Sequence, residues 1–120
     1  LITLLKQNGL DQFIGFDDVS VVRYRDGQDF VGWHSDGGPL LQEGCAMGVL
    51  SFGDSRVMEF RHIGGTEAEA SVTLNAGDLV VSPEGFQALC EHRILPKING
   101  AERHSVVLFT HNRKGKKRNG

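Results

Sequence analysis

Cys45-Ala46-Met47-Gly48-Val49-Leu50-Ser51-Phe52-Gly53-Asp54-Ser55-Arg56-Val57-Met58-Glu59-Phe60-Arg61-His62-Ile63-Gly64-Gly65 holds two β-rich runs, Cys45–Phe52 and Arg56–His62, punctuated by Gly53-Asp54 and Gly64-Gly65. In the second run Met58 and Phe60 fall on one face of a strand, while Val57, Glu59 and Arg61 fall on the other. The same grammar continues outward in both directions. Further candidate strands are Val19–Arg25, Phe30–His34, Ala70–Leu74, Asp78–Ser82, Phe86–Glu91 and His104–His111. Between them stand Asp26-Gly27, Gly37-Gly38-Pro39, Asn75-Ala76-Gly77, Pro83-Glu84-Gly85 and Asn99-Gly100. About eight short strands, spaced near ten residues apart, imply an all-β sandwich or barrel. The only helical candidate is Leu1–Asn8, ending at Gly9. A loop from Gly37 to Gly44 follows the densest polar cluster, and on β scaffolds such loops commonly carry function.

The chain has 120 residues, room for one compact domain. A hydrophobic share of 39% and a charged share of 23% exclude a disordered chain. Apolar runs are too short for a membrane-spanning helix, and Leu1 to Leu5 show no basic leader or cleavage site. Two cysteines, Cys45 and Cys90, cannot build a multi-bridge framework, so a reducing, intracellular setting is expected. A chain opening on Leu1 without methionine suits a domain of something larger.

The formal net charge of −2 is unevenly shared. Arg113, Lys114, Lys116, Lys117 and Arg118 give the tail +5, which leaves residues 1–112 at −7. The expected division is therefore a domain over 1–112 and a basic tail over 113–120. Such a tail serves either as a phosphate contact or as a solvated terminus. The acidic body argues against broad non-specific binding to nucleic acid.

The chemistry-bearing cluster runs from Tyr24 to Asp36. His34 and Asp36 are two apart, so on a strand both side chains leave the same face. One imidazole and one carboxylate make a partial metal site that needs a third ligand. Two histidines and one carboxylate, with three positions left open, is the facial arrangement of non-haem Fe(II) oxygenases. Among His34, His62, His92, His104 and His111, His92 is the best third ligand. It is followed eleven residues later by Arg103, and a dicarboxylic 2-oxo acid chelating iron leaves a distal carboxylate for an arginine fork to hold. Tyr24 could add a hydroxyl to the same group.

The stretch Arg23-Tyr24-Arg25-Asp26-Gly27-Gln28-Asp29-Phe30-Val31-Gly32-Trp33-His34-Ser35-Asp36 resembles the Fe(II)/2-oxoglutarate-dependent dioxygenases of the AlkB type. So do Leu50-Ser51-Phe52-Gly53-Asp54-Ser55-Arg56 and Asn75-Ala76-Gly77-Asp78-Leu79-Val80-Val81. His92 with Pro96, and Arg103 with Ser105, complete the order. The resemblance covers roughly residues 19–110. It implies a double-stranded β-helix, the jelly roll, here with a short N-terminal helix. It implies Fe(II) on His34, Asp36 and His92, 2-oxoglutarate held by Arg103 and Tyr24 with Ser105 assisting, and O2 as oxidant. Best-known members hydroxylate N-methyl groups on nucleobases, which depart as formaldehyde. An alkylated base in single-stranded DNA or RNA is thus the expected substrate, and no membrane partner is expected. The rivals are a protein or small-molecule hydroxylase of the same fold, and a jelly-roll binding module without turnover.

Departures from the family pattern bear on cosubstrate and substrate. Val22 stands where an asparagine is usual, Phe109 replaces a second arginine, and Gly38 replaces an acidic residue that reads the base. Arg56 and Arg61 are either phosphate contacts or ordinary surface arginines on a strand. Trp33 is expected to pack, or to act as a substrate platform, and Cys90 to be a small buried hydrophobe.

Overall fold

The computed structural model describes residues 16–37 and 45–110. The short N-terminal helix expected at Leu1–Asn8, the tail 113–120, Gly38 and His111 lie outside the described residues. Eight strands are present: β1 Asp18–Tyr24, β2 Val31–His34, β3 Met47–Gly53, β4 Arg56–His62, β5 Ala70–Leu74, β6 Leu79–Ser82, β7 Cys90–Ile94 and β8 Arg103–Phe109. One helical turn, α1 Phe86–Leu89, precedes β7.

The strands form two four-stranded sheets, ordered β1-β8-β3-β6 and β2-β7-β4-β5, and every pairing is antiparallel. Apart from the β4–β5 hairpin, the chain alternates between the sheets so that later strands slot beside earlier ones. That interleaving of two four-stranded sheets is the double-stranded β-helix, or jelly roll. Apolar residues at every second position make it possible, because each strand offers one face to the opposite sheet. Tyr24 from one sheet and Met58, Leu74 and Ile94 from the other form the buried core between them, flanked by Val31, Val49, Phe60, Val72 and Val80. A second cluster, Phe16 and Leu108 with Ala46, Leu79 and Val106, packs apart from the first.

One expected strand does not form as read. The segment Phe86–Glu91 divides into α1 and the start of β7, which runs on to Ile94. Gly85 adopts φ 81°, a left-handed conformation that a glycine reaches freely, and turns the chain out of extended geometry. Phe86 then packs edge-on against Phe60, with centroids 5.8 Å apart, so burial of an aromatic pair outweighs local β preference.

One end of the jelly roll is tightly closed. The turns at Gly27 and Gly100 mesh, with the Gly27 amide donating to the Gly100 carbonyl at 3.0 Å. A Cβ on Gly27 would collide with the Lys97 carbonyl, so only glycine fits. Arg56 completes the closure. It is 1% exposed and donates to the carbonyls of Asp26 at 2.6 Å, Asp29 at 2.8 Å and Leu95 at 3.0 Å. Neither surface role considered for Arg56 survives, because its guanidinium is buried tying loop backbones together. At the other end β2 delivers its last residue, His34, opposite His92 on β7.

Candidate active site

His34 closes β2 and pairs in register with His92, which places the two imidazoles side by side with centroids 4.3 Å apart. Asp36 follows two residues later and folds back toward both rings. Its Oδ1 lies 3.5 Å from His34 Nε2, and its Oδ2 lies 3.2 Å from His92 Nε2. One ligand atom from each of the three residues falls within 4.8 Å of the others. His34 Nδ1 is 2.7 Å from the Gly32 carbonyl, which can only accept. Nδ1 therefore carries a proton, and Nε2, which faces Asp36, is the nitrogen that would offer its lone pair to a Lewis acid once its own proton is displaced. His92 is 6% exposed, so the cluster has a buried side and an open side.

The electrostatics match the geometry. Burial pushes the Asp36 carboxyl up, but hydrogen bonds from His34 and His92 outweigh it and hold the group well below the usual carboxylate range. The hydrogen bond to Asp36 raises the His34 value, against the opposing effect of burial. Two imidazoles converging on one ionised carboxylate form a donor set suited to a divalent first-row cation.

Deeper in the molecule lies a polar group of a different kind. Arg103 opens β8 and is 0% exposed. Its Nη2 donates to Ser105 Oγ at 2.7 Å and to Ser51 Oγ at 3.2 Å. Its Nε and Nη1 are buried and have no partner. The guanidinium carbon is 5.2 Å from the centroid of Tyr24, whose hydroxyl is hydrogen bonded to Ser105. Tyr24 is 4% exposed, so its hydroxyl does not reach solvent. A buried cation without an anion is costly to the fold, and two idle N–H donors signal a missing acceptor.

One cavity of about 110 Å³ joins the two clusters. Its lining includes His34, Asp36 and His92 together with Tyr24 and Ser105. The remaining wall is apolar, with Val22 and Val107 among its residues. Val22 is thus an actual wall of the cavity, and the polar side chain usual there is replaced by a methyl surface. Phe109 is 5% exposed and packs in the interior, where the second arginine of the usual pattern is absent.

All six expected site residues thus belong to two linked clusters. Two contributors escape the sequence reading. Ser51 is 1% exposed and shares the Arg103 guanidinium; besides lying in a stretch that resembles the family, its signal is a hydroxyl on the buried face of an apolar strand. Gln87 on α1 accepts the Asp36 amide proton at 2.9 Å. Trp33 does not face the cavity. Its ring carries Arg61 at 4.2 Å and Arg93 at 4.5 Å, which are themselves paired with Glu91 and Glu59. Trp33 and Arg61 therefore pack on the outside of the second sheet. Cys90 borders a separate apolar cavity of about 350 Å³ beside Phe60 and Phe86.

No protein-family model matches the chain. Among curated proteins, the alpha-ketoglutarate-dependent dioxygenase alkB homolog 3 of Rattus norvegicus is 32% identical, over 72% of this chain and 32% of that protein. The protein of the same name from Bos taurus is 28% identical, over 90% of this chain and 41% of that one. The chain is AlkB-like. Its sequence is similar to the Fe(II)/2-oxoglutarate-dependent dioxygenases of that type. The AlkB-like chain spans between about a third and two fifths of the length of these curated relatives. A solved structure of a Pseudomonas putida prolyl-4-hydroxylase is 21% identical, with a TM-score of 0.49 over 92% of this chain and 62% of that one. Among the described residues no helix is long and apolar enough to cross a membrane.

Proposed function

We propose that this AlkB-like chain carries the catalytic core of a 2-oxoglutarate-dependent dioxygenase that demethylates an alkylated nucleobase in single-stranded DNA or RNA. The observation that carries the reading is one cavity lined by His34, Asp36 and His92 together with Tyr24 and Ser105, where Ser105 bonds to the Arg103 guanidinium, whose Nε and Nη1 have no partner. His34, Asp36 and His92 would hold Fe(II). Arg103, with Ser51, Ser105 and the Tyr24 hydroxyl around it, would hold the distal carboxylate of 2-oxoglutarate. The two idle donors of Arg103 fit that anion, and the donor set of the triad fits that cation.

Bound iron and 2-oxoglutarate supply the oxidising power: O2 gives one oxygen atom to succinate, released with CO2, and the other to a substrate C–H bond. The protein's own part is placement. Gly32 fixes the His34 tautomer so that Nε2 stays free to donate electrons. Asp36, held ionised by its two histidines, offsets the charge of the cation. Arg103 sets the orientation of the cosubstrate, because its fork accepts a carboxylate in few geometries. Val22 and Val107 keep that end of the cavity apolar, so the proximal carboxylate would rely on the metal. Hydroxylation of an N-methyl group leaves a carbinolamine that loses formaldehyde.

The AlkB resemblance supports the nucleobase as substrate. A second substrate class is favoured by one observation: Arg61 and Arg93 are neutralised by Glu91 and Glu59 and offer no free charge to phosphates. Formaldehyde release from methylated oligonucleotides, set beside hydroxylation of peptides, separates the two. Succinate formation that depends on added 2-oxoglutarate and vanishes in His34→Ala supports the dioxygenase reading; its absence from the parent protein, supplied with Fe(II) and either substrate, sinks it.

A further inference from the structure

Asp36 stands two residues beyond the end of β2, past the last ladder pair, and the β2–β7 register already shifts between Val31 and His34. Strand pairing therefore does not fix the direction of its carboxylate. Two side-chain bonds to the neighbouring segment do. The Asp36 amide donates to Gln87 Oε1 at 2.9 Å, and Ser35 Oγ donates to the Cys90 carbonyl at 2.7 Å.

We propose that Gln87 is a positioning residue for the metal centre: by accepting the Asp36 amide proton it aims the carboxylate between His34 and His92, and so sets the affinity of the site for a divalent cation. The inference rests on the reading of His34, Asp36 and His92 as metal ligands.

The platform under Gln87 is built for constancy. Gly85 turns the chain, and the Phe86 amide donates to the Pro83 carbonyl at 3.1 Å. The Leu89 carbonyl accepts the Ile63 amide at 3.0 Å, which ties α1 to the turn after β4. Phe86 seats α1 on Phe60, and Phe60 in turn lies 6.4 Å from the His92 ring. The ligand His92 and the acceptor Gln87 thus share one support, and the only hydrogen bond to it from Asp36 itself is the one that Gln87 accepts. Groups that hold a metal ligand in this way usually contribute 10–100-fold to metal affinity.

The test uses Mn(II) as probe, without cosubstrate, on the whole chain. Gln87→Met keeps the length and loses the acceptor. We expect its Mn(II) dissociation constant to rise by about 10–100-fold, its Mn(II) electron paramagnetic resonance spectrum to change, and its metal-free unfolding midpoint to stay at the parent value. Gln87→Glu keeps an acceptor oxygen at the same reach and should restore affinity and spectrum. Should Gln87→Met not fold, Gln87→Ala carries the same expectation with no added bulk. Parent-like affinity and spectrum in the folded Met or Ala variant overturn the proposal while leaving the metal site intact. Failure of the parent itself to bind Mn(II), with His34→Ala indistinguishable from it, overturns the metal reading and this inference together.

Discussion

The Arg103 guanidinium lies 5.2 Å from the Tyr24 ring centroid and bonds to serine hydroxyls but to no carboxylate. Arg56 approaches the same ring at 5.2 Å, so one buried aromatic lies beside two buried cations. Ring faces attract cations weakly, far less than a carboxylate would. The region is left with a positive field directed at one end of a small cavity. Such a field disfavours the fold and favours an anionic guest.

Replacing Arg103 by methionine should separate those two effects. Each buried donor without a partner costs about 1–3 kcal/mol, and the substitution removes two. Urea unfolding should show Arg103→Met more stable than the parent by at least about 1 kcal/mol, while 2-oxoglutarate turnover is lost. A variant that is less stable and still turns over 2-oxoglutarate would contradict the assigned role.

Metal loading should stabilise the chain through His34, Asp36 and His92. A divalent ion at roughly 100 times its dissociation constant adds about 2.7 kcal/mol to the unfolding free energy. Thermal melts with Mn(II) should rise accordingly, return to baseline with chelator, and stay flat in His34→Ala, Asp36→Ala and His92→Ala. An equal rise in those variants would place the ion elsewhere.

Arg56→Ala should be among the most damaging single changes in the described residues. It strips three loop carbonyls of their donor and leaves a void under the closed end of the jelly roll. The expected loss is on the order of 3–5 kcal/mol in urea unfolding, comparable with breaking a buried charged network. Oligonucleotide affinity of the folded fraction should not change, since the side chain reaches no surface. A loss below about 1 kcal/mol would mean the loops hold without it.

Tyr24 offers a clean titration, because it is the only tyrosine in the chain. Burial pushes its phenol above the ordinary value, while Arg103 and the Ser105 hydrogen bond pull part of that back. A raised folded value means that this contribution to stability is fully present below about pH 10, the unfolded value. It is lost as pH rises through the folded value. Ultraviolet absorbance should therefore show phenolate appearing later in the folded protein than in urea, and later still in Arg103→Met. Coincident titration of folded and unfolded chains would show the phenol to be solvated.

The all-β sandwich or barrel was legible in the sequence because its turns announce themselves, while the jelly roll itself came with the family resemblance. Glycine-bearing turns separate runs whose alternation survives even where a charged residue interrupts it, as in Arg56 to Arg61. The candidate metal triad was legible for a related reason, since His34 and Asp36 share a local spacing and His92 precedes a well-placed arginine. What stayed hidden depends on contacts between distant residues. Phe86-Gln87-Ala88-Leu89 sits between turn residues like the other short strands, and the Phe60 ring and Gly85 favour the helical turn it forms. Arg56 has the pattern of a solvated strand residue, yet three carbonyls draw it inside. Ser51 lies in a stretch that resembles the family but nothing local ties it to Arg103, and Gln87 lies in none of the quoted stretches; their partners are 52 and 51 residues away.

Trp33 is the only tryptophan of the chain, clasped between two guanidinium groups on the outer wall, one residue before His34. The molecule therefore contains its own lamp. The indole stands outside the chamber yet shares a backbone with one of its ligands, so its emission can report occupancy of the interior in real time, with no dye attached and no reacting group disturbed.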